Sequence, residues 1–310
     1  MYRYVLRRLL LTIPVLLGAI FLVYAIMSLT PGDPGTLILG MTAPKEDIDA
    51  LNRALGYDKP FPIRFLNYLG DIVLRFDFGN SYRTRTPVFQ EIFQRFPTTF
   101  YLALSSIALS SIFGISQGIL SAIRQYSFVD SLFTVMAMFF AAIPGFWFGL
   151  MLMMVFALRL GWLPSSGVDT WKSFVLPTAT LSAGGAAGLM RLTRSTMLET
   201  IRQDYIRTAR AKGASEATVI WKHALKNALL PVITSMGMSF GASLGGAIIV
   251  ETVFGMPGLG TYIVTSIRQK DVPAVLAATL LLSVLFCLIM LVVDLLYAFI
   301  NPRIRARYTQ

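Results

Sequence analysis

Long apolar runs that contain no Asp, Glu, Lys or Arg dominate the sequence. An α-helix needs roughly 20 residues to cross the hydrocarbon core of a membrane. Spanning segments must be helices or strands of a closed barrel, because lipid satisfies no backbone polar group. Barrel strands alternate apolar and polar residues, whereas these runs are continuous. The pattern therefore predicts an all-α membrane protein with six transmembrane helices, in the runs Leu9–Gly32, Thr98–Ile123, Ser131–Leu158, Ser173–Met190, Ala228–Val250 and Val272–Val293.

The first two runs are separated by a long segment, residues 33–97, which mixes both charges with Pro and Gly. Within it, Asp47–Leu55 and Phe65–Leu74 place apolar residues at helical spacing. We therefore expect short interfacial or capping helices here, without a separate core. A flexible loop is the alternative interpretation of the same composition.

Residues 191–227, termed the basic segment below, form the most polar connection in the second half of the chain. Ala, Leu, Arg, Lys and Glu give this segment strong helix propensity. Gly213 interrupts the pattern, and a glycine ends a helix in a left-handed conformation at little steric cost. Ser215 is placed to cap a following helix. The segment therefore predicts two helices that meet at a bend, either a solvated hairpin or an element that docks a cytosolic partner.

Small residues recur four positions apart within the apolar runs, and this spacing allows helix backbones to approach closely. They predict a compact bundle, part of whose packing surface faces a second subunit. Pro144 and Pro177 are expected to kink or end helices at membrane depth, where a transport pathway tolerates irregular backbone. The glycine sets are Gly114/Gly118, Gly145/Gly149, Gly184/Gly188 and Gly237/Gly241/Gly245.

Composition supports the membrane assignment and narrows the chemistry. Only 14% of the residues are charged and 55% are hydrophobic, whereas soluble domains carry about 25% charged residues. Cys287 is the sole cysteine and His223 the sole histidine, so no internal disulfide, cysteine cluster or paired-histidine metal site is expected. The sequence also lacks a P-loop and a G-x-S-x-G elbow. A hydrolase that uses Ser165 or Ser166 is a remote alternative.

The positive charge is unevenly distributed, which predicts the topology. Of the 27 Lys and Arg residues, 15 lie in the two chain ends, at Arg124 and in the basic segment, against four in the short loops on the other side. Short cytoplasmic loops carry the excess of Lys and Arg, so both termini and the basic segment are expected in the cytoplasm. The net charge of +11 then faces anionic lipid headgroups and cytosolic partners. Nucleic-acid binding is not expected, since no basic patch is interleaved with stacking aromatics.

The source of energy for transport is expected to lie in a partner chain. Ion-coupled carriers place ionisable residues within their membrane helices. Here Asp294 is the one clear candidate from the sequence, and Glu251 lies at the end of a run. A proton- or sodium-driven carrier that uses Asp294 is the alternative from a different class, and a scaffold without transport activity is a further one.

Several motifs resemble a single family of membrane proteins. The stretch Asp204–Gly213, followed by His223–Pro231, resembles the EAA loop of ABC importer permeases, in the form found in the dipeptide, oligopeptide, nickel and glutathione branch. The resemblance covers essentially the whole chain and is to the first of the two permeases of such systems. The other matching stretches are Thr30–Pro34, Asp77–Ser81, Pro97–Thr99, Leu160–Pro164, Glu251–Gly260 and Asn301–Arg305.

The resemblance implies a role for the basic segment. Arg207, Thr208 and Ala209 stand where the family consensus has Glu-Ala-Ala, and Gly213 matches the glycine that follows. In the family this loop forms the coupling helix that docks in a cleft of the ATPase subunit. The ATPase-coupling residues expected from the resemblance are Asp204, Tyr205, Arg207, Thr208, Ala209, Lys212, Gly213 and Ser215.

The resemblance also implies a domain organisation, that of a type I ABC importer permease in a bacterial or archaeal inner membrane. Residues 1–32 are expected to hold a tail and the first transmembrane helix, and 33–97 an extracytoplasmic segment with short helices. Residues 98–300 are expected to form a five-helix core that includes the coupling loop 191–227, and 301–310 a cytoplasmic tail.

The partners implied are a second homologous permease, one or two P-loop ATPase subunits, and a periplasmic or lipid-anchored solute-binding protein. ATP and Mg are expected in the ATPase subunits and no cofactor in this chain, which is not expected to be an enzyme itself. The first solute class expected is di- and oligopeptides. Glutathione, a nickel chelate or another small solute are the alternatives, and no substrate-contacting residue is assigned.

Overall fold

The structure, a computed structural model, describes residues 2–30 and 32–300, and this part of the chain is built from helices and turns. Its one isolated β-type pairing joins Asn80 and Pro87. The predicted tail 301–310 lies outside the described residues. The helices are α1 (Tyr2–Leu29), α2 (Pro34–Leu39), α3 (Lys45–Ala54), α4 (Phe61–Arg75), α5 (Val88–Ile123), α6 (Phe128–Ala142), α7 (Gly145–Leu152), α8 (Val175–Ile201), α9 (Asp204–Ala211), α10 (Glu216–Thr218), α11 (Leu225–Val253), α12 (Leu259–Arg268) and α13 (Val272–Ile300).

Within the described residues, five helical stretches are long and apolar enough to cross a membrane, and a bent pair supplies a sixth candidate. A 3-10 turn, Trp171–Phe174, precedes α8, and π-helical turns follow α7 and join α10 to α11. The five stretches are Val5–Leu29, Val88–Ile123, Trp171–Ile201, Glu216–Val253 and Val272–Leu295.

The third predicted span is broken, which corrects the prediction of a continuous helix over Ser131–Leu158. Helices α6 and α7 meet at an angle of 102°. The break falls at Pro144, and the preceding Ile143 is extended, with ψ 129°, because a proline disfavours the helical conformation of the residue before it. The predicted effect of Pro144 is thus confirmed. Pro177 lies in the first turn of α8, where a proline removes no helical hydrogen bond.

Contacts divide the chain into two units. The first unit consists mainly of Phe100–Met256, with the chain ends. Within it, α8 packs against α6, α7 and α11, and α5 approaches α8 closely. A Cβ atom built on Gly114 would lie 2.7 Å from the carbonyl oxygen of Ala186, and one on Gly118 would lie 2.6 Å from Cβ of Thr193. This close approach confirms the packing role predicted for the first glycine pair.

The other predicted glycine sets divide into packed and open positions. Gly149 lies against Thr180, and Gly237 lies against Val293, so a side chain at either position would meet a neighbouring helix. Gly145, Gly184, Gly188 and Gly245 instead have open space where a Cβ atom would stand. Contact with a second subunit at these open positions stays a prediction.

The second unit consists of Leu6–Thr99 and Pro257–Cys287. The helices expected around Asp47–Leu55 and Phe65–Leu74 are present as α3 and α4. Aromatic side chains of α4 pack on α1, with Phe65 5.4 Å from Tyr24 between ring centroids, and Val275 and Leu276 of α13 complete this cluster. Helix α5 already begins at Val88, so Pro97, the last residue of the predicted segment, lies inside a helix.

Candidate functional site

The basic segment forms a short helix between two long ones. Helix α8 continues to Ile201, α9 follows as a separate helix, and α10 passes through a π-helical turn into α11. Gly213 has a φ of 81°, and the Ser215 hydroxyl accepts a hydrogen bond from the Thr218 amide at 3.4 Å. The predicted bend and cap are therefore confirmed. The prediction of two helices is corrected, because the first part of the segment belongs to α8.

One fully buried apolar side chain anchors α9. Ile206 is 0% exposed and packs in a cluster with Met197 of α8, Val219 and Ala224 of the π-helical turn, and Ile119 of α5. Burying such a side chain stabilises by about 1.5–3 kcal/mol. The cluster therefore fixes α9 on the helices around it and leaves the remaining faces of α9 to solvent.

Most of the predicted coupling residues lie on these solvent faces. Ala209 is half-buried against the same cluster. The guanidinium of Arg207 lies 3.7 Å from the Asp204 carboxylate, and the amide of Asn227 donates to the Tyr205 hydroxyl at 2.8 Å. The exposed members of the predicted set are Asp204, Tyr205, Arg207, Thr208, Lys212, Gly213 and Ser215.

An ion pair that the sequence analysis did not select spans the bend at Gly213. Nε and Nη2 of Arg210 donate to the two carboxylate oxygens of Glu216, at 2.7 and 3.1 Å. The hydrogen bonds to Glu216 raise the pKa of Arg210 above its usual value. This two-point contact joins the end of α9 to the start of α10. Its sequence signal is an arginine and a glutamate that flank a Gly-Ala-Ser turn.

A second missed element, in the first unit, is an ion pair between the buried Asp130 and the partly exposed Arg194. Asp130, 4% exposed, receives Nε and Nη2 of Arg194 at 2.7 and 2.8 Å. The Ser121 hydroxyl also donates to Asp130, so the contact joins α5, α6 and α8. Asp130 is therefore a further ionisable residue inside a helix, besides Asp294, which was the one clear candidate from the sequence. Ser127, a good cap placed just before α6, could have moved the predicted helix start to include Asp130.

A groove beside α9 completes the candidate site. Its volume is about 680 Å³ and its walls include Tyr126, Arg194, Leu198, Arg202 and Asp204. The described residues hold no group of three or more His, Cys, Asp or Glu side chains that could bind a metal ion. The arrangement thus offers a firmly held polar surface with a groove, which suits the docking of another protein.

Comparison with known families and relatives identifies the family to which the chain is similar. Residues 114–306 match the family described as binding-protein-dependent transport system inner membrane component, and residues 1–103 match its N-terminal companion. The glutathione transport system permease protein GsiC of Pectobacterium atrosepticum is 45% identical over 305 residues, which cover 98% of this chain and 99% of that protein. The proteins of that name from Salmonella typhimurium and Escherichia coli K12 are 45% and 44% identical, with the same coverage.

Solved structures support the same fold. The MetNI methionine ABC transporter in an inward-facing conformation gives a TM-score of 0.59 at 18% identity, covering 69% of this chain and 97% of that chain. An amino acid ABC transporter with histidines gives a TM-score of 0.52 at 14% identity, covering 69% and 94%. At these identities the likeness concerns the fold, and it confirms the expected all-α type I permease architecture.

The chain belongs to the family of binding-protein-dependent transport system inner membrane components. It is a multi-pass inner-membrane permease subunit of an ABC importer, and ATP is hydrolysed by separate ATPase subunits. Membership also implies a solute-binding protein and a second permease. The resemblance found in the sequence is thus confirmed, and the ion-driven carrier, hydrolase and scaffold alternatives are replaced.

Proposed function

We propose that this chain forms, with a second permease, the pathway for a peptide-class solute that carries a free carboxylate, and that glutathione or short peptides belong to this class. The full-length similarity to glutathione permeases supports this proposal most strongly. Glutathione is the first solute to test for that reason. Di- and oligopeptides share its backbone amides and charged ends, and they remain the broader class expected from the motifs.

The basic segment is proposed to couple this pathway to ATP hydrolysis. Helix α9 is held by Ile206 and by the Arg210–Glu216 contact, while the polar residues around Arg207 are free to meet a partner. A helix fixed at its base and polar on its outer faces can transmit displacement of the ATPase as a rigid-body movement. The groove beside α9 adds a concave surface at the same place.

In this proposal both termini and the basic segment face the cytoplasm. One or two kinds of P-loop ATPase subunit bind ATP and Mg there, and a periplasmic or lipid-anchored binding protein delivers solute to the opposite face. The excess of exposed Arg and Lys on the basic segment supports this orientation, because short cytoplasmic loops carry such an excess.

Uptake in cells tests the solute assignment. A strain without glutathione and peptide importers receives this chain with the neighbouring genes for its partners, and uptake of labelled glutathione and tri-alanine is measured. We expect uptake of at least one of the two solutes. This uptake requires the ATPase, and it persists in the presence of an ionophore as long as ATP is maintained. Uptake of neither solute would contradict the solute proposal.

A further inference from the structure

The segment between α1 and α5 lines an open cavity that the coupling mechanism does not use. Its volume is about 980 Å³, and all of its walls belong to the second unit. They come from α1, α2, α3, α4, the connections around Tyr57 and Tyr82, and the start of α13. Sites for small molecules commonly have volumes of about 300–1,000 Å³, so this cavity is large enough for a solute the size of a tripeptide.

One face of α4 supplies the polar wall of the cavity. Arg64, Asn67, Tyr68 and Asp71 all line it, and their spacing of three, four and seven residues places them on one side of a helix. Arg64 and Asp71 are two turns apart, which corresponds to about 10 Å along the helix axis. The wall therefore carries a positive and a negative side chain that start two helical turns apart.

Two hydrogen-bond donors on this wall lack an acceptor. Nε of Arg64 and the hydroxyl of Tyr68 are buried and have no hydrogen-bond partner among the described residues. The Arg64 guanidinium lies over the ring of Tyr57, 4.6 Å from its centroid, and the described part of the chain holds no carboxylate in an ion pair with it. Buried donors without acceptors are unfavourable, and a carboxylate provides an acceptor for both groups.

The charges around the cavity suit a ligand with both signs of charge. Lys59 and Arg85 lie in its walls with Arg64, and Asp47 and Asp71 lie there as carboxylates. Asp71 also contacts the exposed Arg75, at 3.4 Å. An extended chain covers about 3.3–3.6 Å per residue, so the length of a tripeptide is close to the axial spacing of positions 64 and 71 on α4.

We propose that this cavity binds a short zwitterionic peptide, with Arg64 and Tyr68 on its carboxylate and the Asp71 side of the cavity on its ammonium group. The inference rests on the proposed function and adds to it a solute site in the segment between α1 and α5. Arg64 recognises the carboxylate by charge and by hydrogen bonding, and the Tyr68 hydroxyl donates to the same group.

The test measures binding to the assembled permease–ATPase complex in lipid nanodiscs, without the soluble binding protein. The probes are labelled tri-alanine and its C-terminal amide, measured by equilibrium dialysis. The variants are Arg64→Gln and Tyr68→Phe, and Arg53→Gln is the matched control. Arg53 is exposed on α3, donates to the Asp49 carbonyl at 3.2 Å and lies outside the cavity walls. Size-exclusion chromatography checks that each complex remains assembled.

We expect Arg64→Gln to weaken tri-alanine binding at least about tenfold, as the loss of a charge-assisted contact predicts. Tyr68→Phe weakens it less, and Arg53→Gln leaves it unchanged. In the wild type the amide binds at least about tenfold more weakly than the acid, whereas in Arg64→Gln acid and amide bind alike, because the group that distinguishes them is gone. Equal tri-alanine binding by Arg64→Gln, Tyr68→Phe and the wild type would overturn the proposal.

Two further outcomes separate this inference from the proposed function. If the wild type imports peptide in cells but its cavity variants bind tri-alanine normally, the cavity assignment is wrong and the transport assignment stands. If Arg64→Gln weakens only the association of the solute-binding protein, and the complex alone binds no tri-alanine, the carboxylate belongs to that protein and the solute assignment of the cavity is overturned.

Discussion

The basic segment and the segment between α1 and α5 both connect long apolar helices, but they use their polar residues in opposite ways. In the basic segment the apolar Ile206 is 0% exposed while its polar neighbours face solvent. In α4 the polar Arg64 and Tyr68 line a cavity, while Leu66 and Leu74 are 65% and 81% exposed. An outward apolar face is expected of a helix that lies at a membrane interface.

The difference indicates what each region can bind. Exposed polar groups on a firmly anchored helix suit a protein surface, where a large area is contacted and little rearrangement is needed. Enclosed donors without acceptors suit a small polar ligand, because the ligand satisfies groups that the protein leaves unpaired. The two regions are therefore expected to respond differently to substitution: the basic segment through coupling, and the cavity through solute affinity.

The largest effect is expected where the first unit supports the basic segment. Arg194→Ala leaves the buried Asp130 carboxylate without its charged partner, and breaking such a pair destabilises by about 3–5 kcal/mol. Unfolding of the purified chain in mild detergent measures the loss. The exchanged pair Asp130→Arg with Arg194→Asp should recover part of the stability. A loss below about 0.5 kcal/mol for Arg194→Ala, the level of an exposed ion pair, would show that this pair does not stabilise the helices that support the basic segment.

A smaller effect is expected at the anchor of α9. Ile206→Ala leaves a cavity in a closely packed cluster, at a cost of about 2–5 kcal/mol, whereas Ile206→Val costs about 0.5–1.5 kcal/mol. The alanine variant should lose ATPase stimulation by solute-loaded binding protein and retain basal hydrolysis, and the valine variant should keep most of both. Full stimulation in Ile206→Ala would mean that coupling does not need a fixed α9.

The bend at Gly213 is expected to matter through backbone conformation alone. Apart from its two chain neighbours, no atom of the described residues lies within 4 Å of the place where a Cβ would stand, and φ is 81°. A β-branched residue in this left-handed region is strained by about 1–2 kcal/mol, whereas asparagine tolerates it better. Gly213→Val should therefore lower the solute transported per ATP hydrolysed, and Gly213→Asn should retain most of it. Equal losses in the two variants would indicate that the introduced side chain itself interferes with a contact at position 213.

The smallest effect concerns the tyrosines of the cavity. Burial raises the pKa of Tyr68 and Tyr82 above the ordinary tyrosine value of 10.0. Neither hydroxyl should ionise between about pH 9 and pH 11, the range in which ordinary tyrosines titrate. Tyr68→Phe and Tyr82→Phe should therefore leave the rise in phenolate absorbance over this range unchanged. A reduction by the amplitude of one tyrosine would show that burial does not raise the pKa of that hydroxyl.

Much of the fold follows from local signals. Continuous apolar runs predicted the long helices, Pro144 predicted the break between α6 and α7, and Gly213 with Ser215 predicted the bend and cap in the basic segment. These features depend on residues close together in the chain, whose conformational preferences act before any tertiary contact forms.

Two of the missed features, the Asp130–Arg194 pair and the cavity, depend on residues distant in sequence. Arg194 and Asp130 are 64 positions apart, and no local pattern links them. The cavity requires α3, α4 and the start of α13 to meet, although α4 alone shows the spacing from Arg64 to Asp71. The start of α5 at Val88 was missed because Pro97 suggested a boundary, whereas the helix continues through that proline.

The most direct test of the coupling proposal is cross-linking between α9 and the ATPase in the assembled importer. Cys287 is replaced by serine, a single cysteine is placed at Arg207, and a short bifunctional reagent joins it to cysteines around the cleft of the ATPase. A cysteine at Arg53 serves as the control. The account predicts a strong cross-link from position 207 that changes with ATP, and none from position 53. Absence of a cross-link at 207 in a complex that still transports solute would contradict the proposed role of α9.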